Sequence, residues 1–325
     1  MDEVLAALRA GERIALVSHR DPDPDTIGSA IAVGLALEQL GKTVSYHCAD
    51  PVPEFIRFLA RADRFTTDPP PGDVDLMLTV DFGDPTRAKF PLPAGVPVVN
   101  VDHHATNAGF GEAGLASLVD VSAAATGELI SRVIDGLGAQ WTPEMATAAL
   151  LAIMTDTGSF QFPNTDSRAL DRAARLRELG ADLQAITYNV FRNKRFEALK
   201  LTGIALTRLV REDGGLLVWT WADQADVAAS GAREEDMSGL VQQIARSAGM
   251  RLALLFSAQQ GSLRVSCRTS ESPPSIDAAA LMARFGGGGH VRAAGALIPG
   301  DPAEIRERVL AAAREELAEA LAAAV

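Results

Sequence analysis

The sequence predicts an α/β protein: an N-terminal doubly wound parallel sheet followed by a smaller C-terminal α/β domain. Three observations predict it. Strands separated by helices recur over the first hundred residues, the alternation of a parallel sheet. A run from Val96 to Val101 ends abruptly in Asp102-His103-His104, as a buried strand does when it delivers polar residues to the edge of a sheet. Near Lys200 the pattern changes to a hairpin and later strands, and the charge changes with it. Of the formal net charge of −12, about −10 lies before Lys200 and about −2 after it.

Residues 2–10 read as a short helix and Arg13–Val17 as a first strand, ending in Ser18-His19. A loop from Arg20 to Asp25 leads into a helix from Thr26 to about Leu40, with Gly41 as its stop. Thr43–Cys48 reads as a second strand, Glu54–Leu59 as helical and Asp68–Gly72 as a Pro-rich turn. Asp75–Val80 is a third strand, ending in Asp81, and Val96–Val101 a fourth. Helices follow at Ala123–Leu137, Pro143 to about Thr155, Asp166–Leu179 and Asp182–Leu199, with Thr142 as cap and Pro143 at the first helical position. The expected domains are 1–181 and 200–325, with 182–199 as a helical linker. In the second domain, Ile204–Arg211 and Leu216–Trp221 read as a hairpin around Asp213-Gly214-Gly215, and Glu235–Ala248 as a helix. Arg251–Ser257 and Ser262–Cys267 read as strands around Gln259-Gln260-Gly261. A helix over Ile276–Phe285, the run Gly286–Gly289 with His290, a strand over Ala293–Ile298 and a soluble amphipathic helix over 301–325 close the chain.

With 325 residues, 47% of them hydrophobic, the chain can build two cores. No stretch approaches the ~18–20 apolar residues of a membrane span, and the start carries no basic, apolar leader. Two cysteines, Cys48 and Cys267, cannot make a disulfide framework, so the cytoplasm is the expected compartment. The acidic balance disfavours a surface for long duplex nucleic acid, which needs a Lys/Arg footprint. It is compatible with phosphate chemistry where carboxylates hold cations, and equally with charge that only keeps the protein soluble.

The strand ends carry the chemistry. The first gives His19, then Asp23 and Asp25; the third gives Asp81; the fourth gives Asp102, His103 and His104; a helix end adds Asp156. Taken singly, His19 reads as a structural histidine, Asp25 as a helix cap and Asp81 as a turn residue. Together they would place several carboxylates at one edge, which costs several kcal/mol unless cations neutralise them. Carboxylate and imidazole without thiolate suit Mn²⁺, and two ions sharing a carboxylate form a hydrolytic pair. Leu40-Gly41-Lys42-Thr43 lacks the first glycine and the strand of a phosphate-binding loop, and His47 and Cys48 lie in a strand without further ligands.

His19 with Pro22-Asp23-Pro24-Asp25-Thr26-Ile27-Gly28-Ser29, Val80-Asp81, Asp102-His103-His104 and Thr155–Phe160 resemble the four motifs of the DHH phosphoesterase family. Ser266-Cys267-Arg268, Gly286–His290 and Ala293-Ala294-Gly295 resemble its DHHA1 domain, and Ser122–Glu128 resembles a further segment of such proteins. Length and motif order resemble the family's small oligoribonucleases and pAp phosphatases. The resemblance implies two Mn²⁺ ions, with Mg²⁺ or Co²⁺ as substitutes. One would be held by His19, Asp23 and Asp81, the other by Asp25, Asp81, His103 and Asp156. Asp81, Asp102 and His104 are the catalytic candidates: Asp81 as bridge, Asp102 orienting a histidine, His104 facing the scissile phosphate. Arg268, Gly287, Gly288, Gly289 and His290, with His104, would contact the substrate in the cleft between the domains. The implied substrates are RNA of two to five nucleotides, linear dinucleotides such as pApA and pGpG, and pAp. No membrane or long duplex is expected as a partner, and a homodimer is compatible. The alternatives are a RecJ-like single-strand DNA exonuclease, a pyrophosphatase of the same superfamily and a silent nucleotide sensor.

Overall fold

The structure, a computed structural model, describes residues 1–323 except Ser238, Gln260, Glu271 and Pro274. Ser238 in the helix expected over 235–248, the turn residue Gln260 and the tail residues Ala324 and Val325 therefore lie outside the described residues. The chain forms two compact units, Met1–Asn193 and Lys194–Val325, and the division falls inside the segment 182–199.

The first unit runs α1 (Asp2–Ala10), β1 (Arg13–Val17), α2 (Pro24–Gln39), β2 (Thr43–His47), β3 (Phe65–Thr66), β4 (Leu76–Val80), β5 (Val98–Asp102) and β6 (Gly114–Val119). It continues through α3 (Thr126–Leu137), α4 (Pro143–Asp156), α5 (Ser167–Glu178), α6 (Leu183–Ile186) and a π-helical segment over Thr187–Arg192. Its sheet has the order β3-β2-β1-β4-β5-β6, every pair parallel. All five residues of β4 and all five of β5 are buried, as strands covered on both faces must be. Alternation divides them. Ile14, Leu16, Leu78, Val80, Val99 and Val101 meet the helices in one core; Ala15, Val17, Met77 and Val98 meet Phe82, Val96 and Phe110 on the other face.

Several boundaries differ from the expectation for local reasons. Helix α2 starts at Pro24, because Asp23 and not Asp25 is the cap: its carboxylate accepts the N–H groups of Asp25 and Thr26. Strand β5 starts after Pro97, which has no N–H for the ladder. Residues 54–59 give only a 3₁₀ turn over Glu54–Ile56, too short to sustain an α-helix. The short β3 and the partly exposed edge strand β6 carry too little periodicity to announce themselves.

In the strand order the chain turns outward in opposite directions from the neighbours β1 and β4, which opens a crevice at their carboxyl ends. His19 follows β1 there and Asp81 follows β4.

The second unit contains α7 (Phe196–Thr207), β7 (Val210–Glu212), β8 (Leu217–Ala222), α8 (Gln224–Ser230), α9 (Leu240–Ile244), β9 (Leu252–Gln259) and β10 (Ser262–Thr269). It ends with α10 (Ala278–Ala283), β11 (Gly288–His290), β12 (Ala293–Pro299) and α11 (Pro302–Ala323). The sheet order is β11-β12-β10-β9-β8-β7, antiparallel except for the β8–β9 pair. The first half of the strand expected over Ile204–Arg211 is helix. Ala198, Leu201 and Ala205 bury one stripe of α7 at helical spacing, and that longer period overrides the short apolar run. Helix α8 was not foreseen, and α9 is much shorter than the expected 235–248. One face of the sheet packs Leu254, Phe256, Val265 and Cys267 against residues of α10 and α11. The other packs Val218, Ala253 and Leu255 against Leu201, Ala205, Leu240 and Ile244.

Candidate metal centre

Asp81 sits at the crevice with φ +70, the left-handed region, a conformation that costs a non-glycine residue ~1–3 kcal/mol. Its N–H stays in the ladder, donating to the Val101 carbonyl at 2.9 Å. The strained turn aims the carboxylate sideways, with Oδ2 3.4 Å from His19 Nε2 and Oδ1 3.6 Å from His103 Nε2. The Thr126 hydroxyl donates to Oδ1 at 2.8 Å.

His19 is buried, and its Nδ1–H donates to the Arg20 carbonyl at 2.7 Å. That bond leaves the Nε2 lone pair aimed at Asp23 Oδ2, 3.6 Å away, and at Asp81. Nε2 is a buried polar atom without a hydrogen-bond partner. A lone pair facing two carboxylates is repulsive unless a proton or a cation lies between them. His103 repeats the arrangement. Nδ1 contacts the Ala123 carbonyl at 3.3 Å, while Nε2 lies 3.2 Å from Asp156 Oδ2 and 3.9 Å from Asp25 Oδ2.

Asp25 is buried in the first turn of α2 and accepts the backbone N–H groups of Thr126 and Gly127 at 2.7 and 2.9 Å, and the Ser29 hydroxyl at 3.1 Å. The start of α3 thus carries part of its charge. Asp156 closes the group from the end of α4, and Asn164 ties the Asp156 carbonyl to that of Ala124.

The pKa shifts of these groups follow from burial and from the excess of carboxylates over imidazoles. Burial disfavours the imidazolium of His19, but Asp23 and Asp81 outweigh it and push the pKa up to about 10. His103 likewise rises to about 10 against burial, through Asp156 and then Asp25. Burial, then the charges of Asp81 and Asp156, hold Asp25 well above the usual carboxylate range. Asp156 is raised by burial, with His103 pulling the other way. Asp23 is lowered, because His19 overcomes its burial. A site that binds protons this avidly fits divalent cations in their place. His19, Asp23 and Asp81 form one group of ligand atoms within 4.8 Å of one another, Asp25, His103 and Asp156 form a second, and Asp81, His103 and His104 form a third. Asp81 faces both histidines, and the oxygen and nitrogen donors suit an ion such as Mn²⁺.

All six expected ligands therefore meet at one place. Asp102 stands behind them, buried, with Oδ1 2.8 Å from His104 Nδ1. Burial would raise its pKa, but His104 and Asn107 hold it below the usual range. Thr126 and Gly127 were missed as partners of the site: the 122–128 resemblance located their segment without a role. His47 is satisfied by the Asp68 carbonyl and the Ser45 hydroxyl, and Gly41 makes the turn between α2 and β2.

Of the residues expected to hold substrate in the second unit, Arg268 and His290 share a sheet row. Ala253, Arg268, Ala293 and His290 are register partners on β9, β10, β12 and β11, so their side chains leave the same face. Arg268 is half-buried, which lowers its pKa, and donates to the Cys267 carbonyl at 2.8 Å. With its amide turned to satisfy both neighbours, Gln242 accepts from Arg268 Nη2 at 2.9 Å. The glycine run is not an open cradle. Gly288 and Gly289 pair with Gly295 and Ala294 of β12, and a Cβ at Gly289 would lie 2.5 Å from the Ala293 oxygen. Glycine is needed here for close strand approach. Strand β11 is the sheet edge, so backbone groups on its outer side point away from the ladder.

Comparison with known proteins agrees with this architecture. Residues 13–153 match the DHH family, N-terminal domain, and residues 222–322 match the DHHA1 domain. The chain is 38% identical over 328 residues to the bifunctional oligoribonuclease and PAP phosphatase NrnA of Thermus thermophilus, covering 98% of this chain and 94% of that protein. It is 25% identical over 301 residues to the protein of the same name from Bacillus subtilis, covering 91% and 92%. The crystal structure of an exopolyphosphatase-related protein from Bacteroides fragilis shares the fold, with a TM-score of 0.87 at 19% identity over 95% of this chain and 94% of that one.

Proposed function

The chain belongs to the DHH family, and on that premise we propose that it is a metal-dependent phosphoesterase of short oligonucleotides. It hydrolyses RNA of two to five nucleotides and dinucleotides such as pApA and pGpG to nucleoside monophosphates, and pAp to AMP and phosphate. The observation that carries the reading is His19 Nε2, buried, without a hydrogen-bond partner and aimed at two carboxylates.

His19, Asp23 and Asp81 would hold one divalent cation and Asp25, Asp81, His103 and Asp156 the other, with Mn²⁺ the best fit and Mg²⁺ or Co²⁺ as substitutes. When bound, such cations would supply Lewis-acid charge to the phosphoryl oxygens and lower the pKa of water. Thr126 fixes the rotamer of Asp81, and the N–H groups of α3 fix Asp25. Asp102 holds His104 through Nδ1, so Nε2 is the atom that delivers a proton to the leaving oxygen as the P–O bond breaks. Arg268, His290 and the edge formed by Gly287, Gly288 and Gly289 bind a terminal phosphate, the guanidinium as a planar donor. The acidic first unit supports short substrates, since long strands need a basic track. Two buried free cysteines fit a reducing cytoplasm.

The test is a turnover panel with Mn²⁺: pAp, pApA, pGpG, a 5-mer, a 24-mer and single-stranded DNA. Conversion of the first four is expected. Strong preference for the 24-mer or for single-stranded DNA would reject the short-substrate reading in favour of a RecJ-like one.

A further inference from the structure

Behind His104 lies a hydrogen-bonded chain that reaches the floor of the sheet. Asp102 Oδ1 accepts both the N–H and the ring Nδ1 of His104, at 3.2 and 2.8 Å. Its other oxygen, Oδ2, accepts the Asn107 amide at 2.6 Å. The same amide nitrogen donates to Asn100 Oδ1 at 2.8 Å, and Asn107 Oδ1 accepts the Gly109 N–H at 2.9 Å. Asn100 is buried in β5 and donates to Thr79 Oγ1 and the Phe82 carbonyl at 3.0 and 2.8 Å. Every polar atom of the Asn107 side chain is thus engaged. The space for it exists because residue 83 is glycine: a Cβ there would lie 1.9 Å from Asn107 Cγ.

We propose that Asn107 is a positioning residue for the hydrolysis. Its amide locks the rotation of the Asp102 carboxylate, so that Oδ1 keeps the His104 ring in one tautomer and one orientation. The alternative function, plain loop bracing, would need only the Gly109 bond; it would not require the two acceptors on the Asp102 side. The geometry differs from that of the cation ligands: Asp102 and Asn107 belong to none of the three ligand groups, and His104, which shares one with Asp81 and His103, turns its Nδ1 to Asp102 at 2.8 Å against 3.7 Å to Asp81. Loss of Asn107 should therefore weaken proton delivery and leave cation binding intact. The inference rests on the role given above to His104.

A leaving-group comparison tests it with the full chain and Mn²⁺. The substrates are pApA, whose leaving alkoxide needs a proton, and a nucleoside 5′-phosphate p-nitrophenyl ester, whose phenolate does not. Asn107→Ala should lower kcat on pApA about 10–100-fold, the usual range for a residue supporting a ligand-orienting group. KM and Mn²⁺ affinity should stay within about twofold, and turnover of the ester within about threefold. Gly83→Ala, which evicts the side chain without removing it, should reproduce the pattern if Asn107→Ala folds poorly. Adding Asn107→Ala to His104→Ala should cost nothing further, because the two act as a unit. Equal losses on both substrates, weakened Mn²⁺ binding or additive losses in the double variant would overturn the proposal. A fully active His104→Ala would overturn it while sparing the hydrolase reading, whereas a wild-type protein inert on both substrates would remove the hydrolase reading and the inference with it.

Discussion

The two units place functional residues in opposite ways. In the first, polar groups gather where β1, β4 and β5 end; His19, Asp25, Asp81 and Asp102 are buried, Asp23, His103, His104 and Asp156 partly so, and each is gripped by backbone or by another side chain. In the second, Arg268 and His290 leave one face of a continuous sheet, half-buried and exposed, and their alignment comes from strand register. The first arrangement suits cations, because converging carboxylates need charge compensation and rigid ligands set coordination geometry. The second suits a ligand that comes and goes, because a weakly hydrated guanidinium, partly desolvated on a sheet face and held by the Cys267 carbonyl, can exchange its remaining water for the oxygens of a phosphate.

The contrast breaks most sharply at Asp81. Asp81→Asn should lower kcat on pApA at least ~1000-fold, comparable to losing a principal electrostatic group, and should remove at least one Mn²⁺ in a metal titration. Near-normal turnover would dismiss the shared-ligand geometry. Arg268→Ala tests the other side. KM for 5′-phosphorylated dinucleotides should rise about 10–100-fold, the worth of a charged hydrogen bond, with Mn²⁺ stoichiometry unchanged; loss of Mn²⁺ instead would erase the division of labour.

The smallest effect is on pH. His19 and His103 titrate near 10 in the metal-free protein, above an ordinary value of 6.5. Their contribution to stability is therefore complete below about pH 6.5 and lost as the pH rises through 10. Asp25, raised by burial, likewise favours its neutral form and becomes a liability as the pH rises above the usual carboxylate range. Metal-free protein should thus melt at lower temperature from pH 6.5 to 10. Because cations displace these protons, Mn²⁺ affinity should rise by up to ~10-fold per pH unit for each proton released. Calorimetric titration at several pH values reads it, and a flat profile would contradict the protonated ground state.

Much of the candidate metal centre was legible in the sequence, because His19, Asp81 and Asp102-His103-His104 each follow an apolar strand. A polar residue at such a place is a local pattern. Asp23 was legible as a candidate but not as the cap of α2, since cap identity depends on where the helix starts. Thr126 and Asn107 were not legible: a threonine opening a helix and an asparagine in a loop look like ordinary caps and turns. Their roles arise from contacts across 45 and 5 residues that no period reports. The strand pairing of Gly288 and Gly289 was not legible, because glycine serves an open loop and a tight strand pair equally well.

By itself the sequence determined the order of elements in the first unit, the buried strands and the chemical types of the candidate ligands, since burial and helix or strand period are written locally. Only the tertiary structure decided that β1 and β4 are neighbours, that Asp81 turns left-handed to face both histidines, and that Arg268 and His290 share a row. Those facts depend on which strands pair and in what register, and pairing is set by packing between segments far apart in the chain.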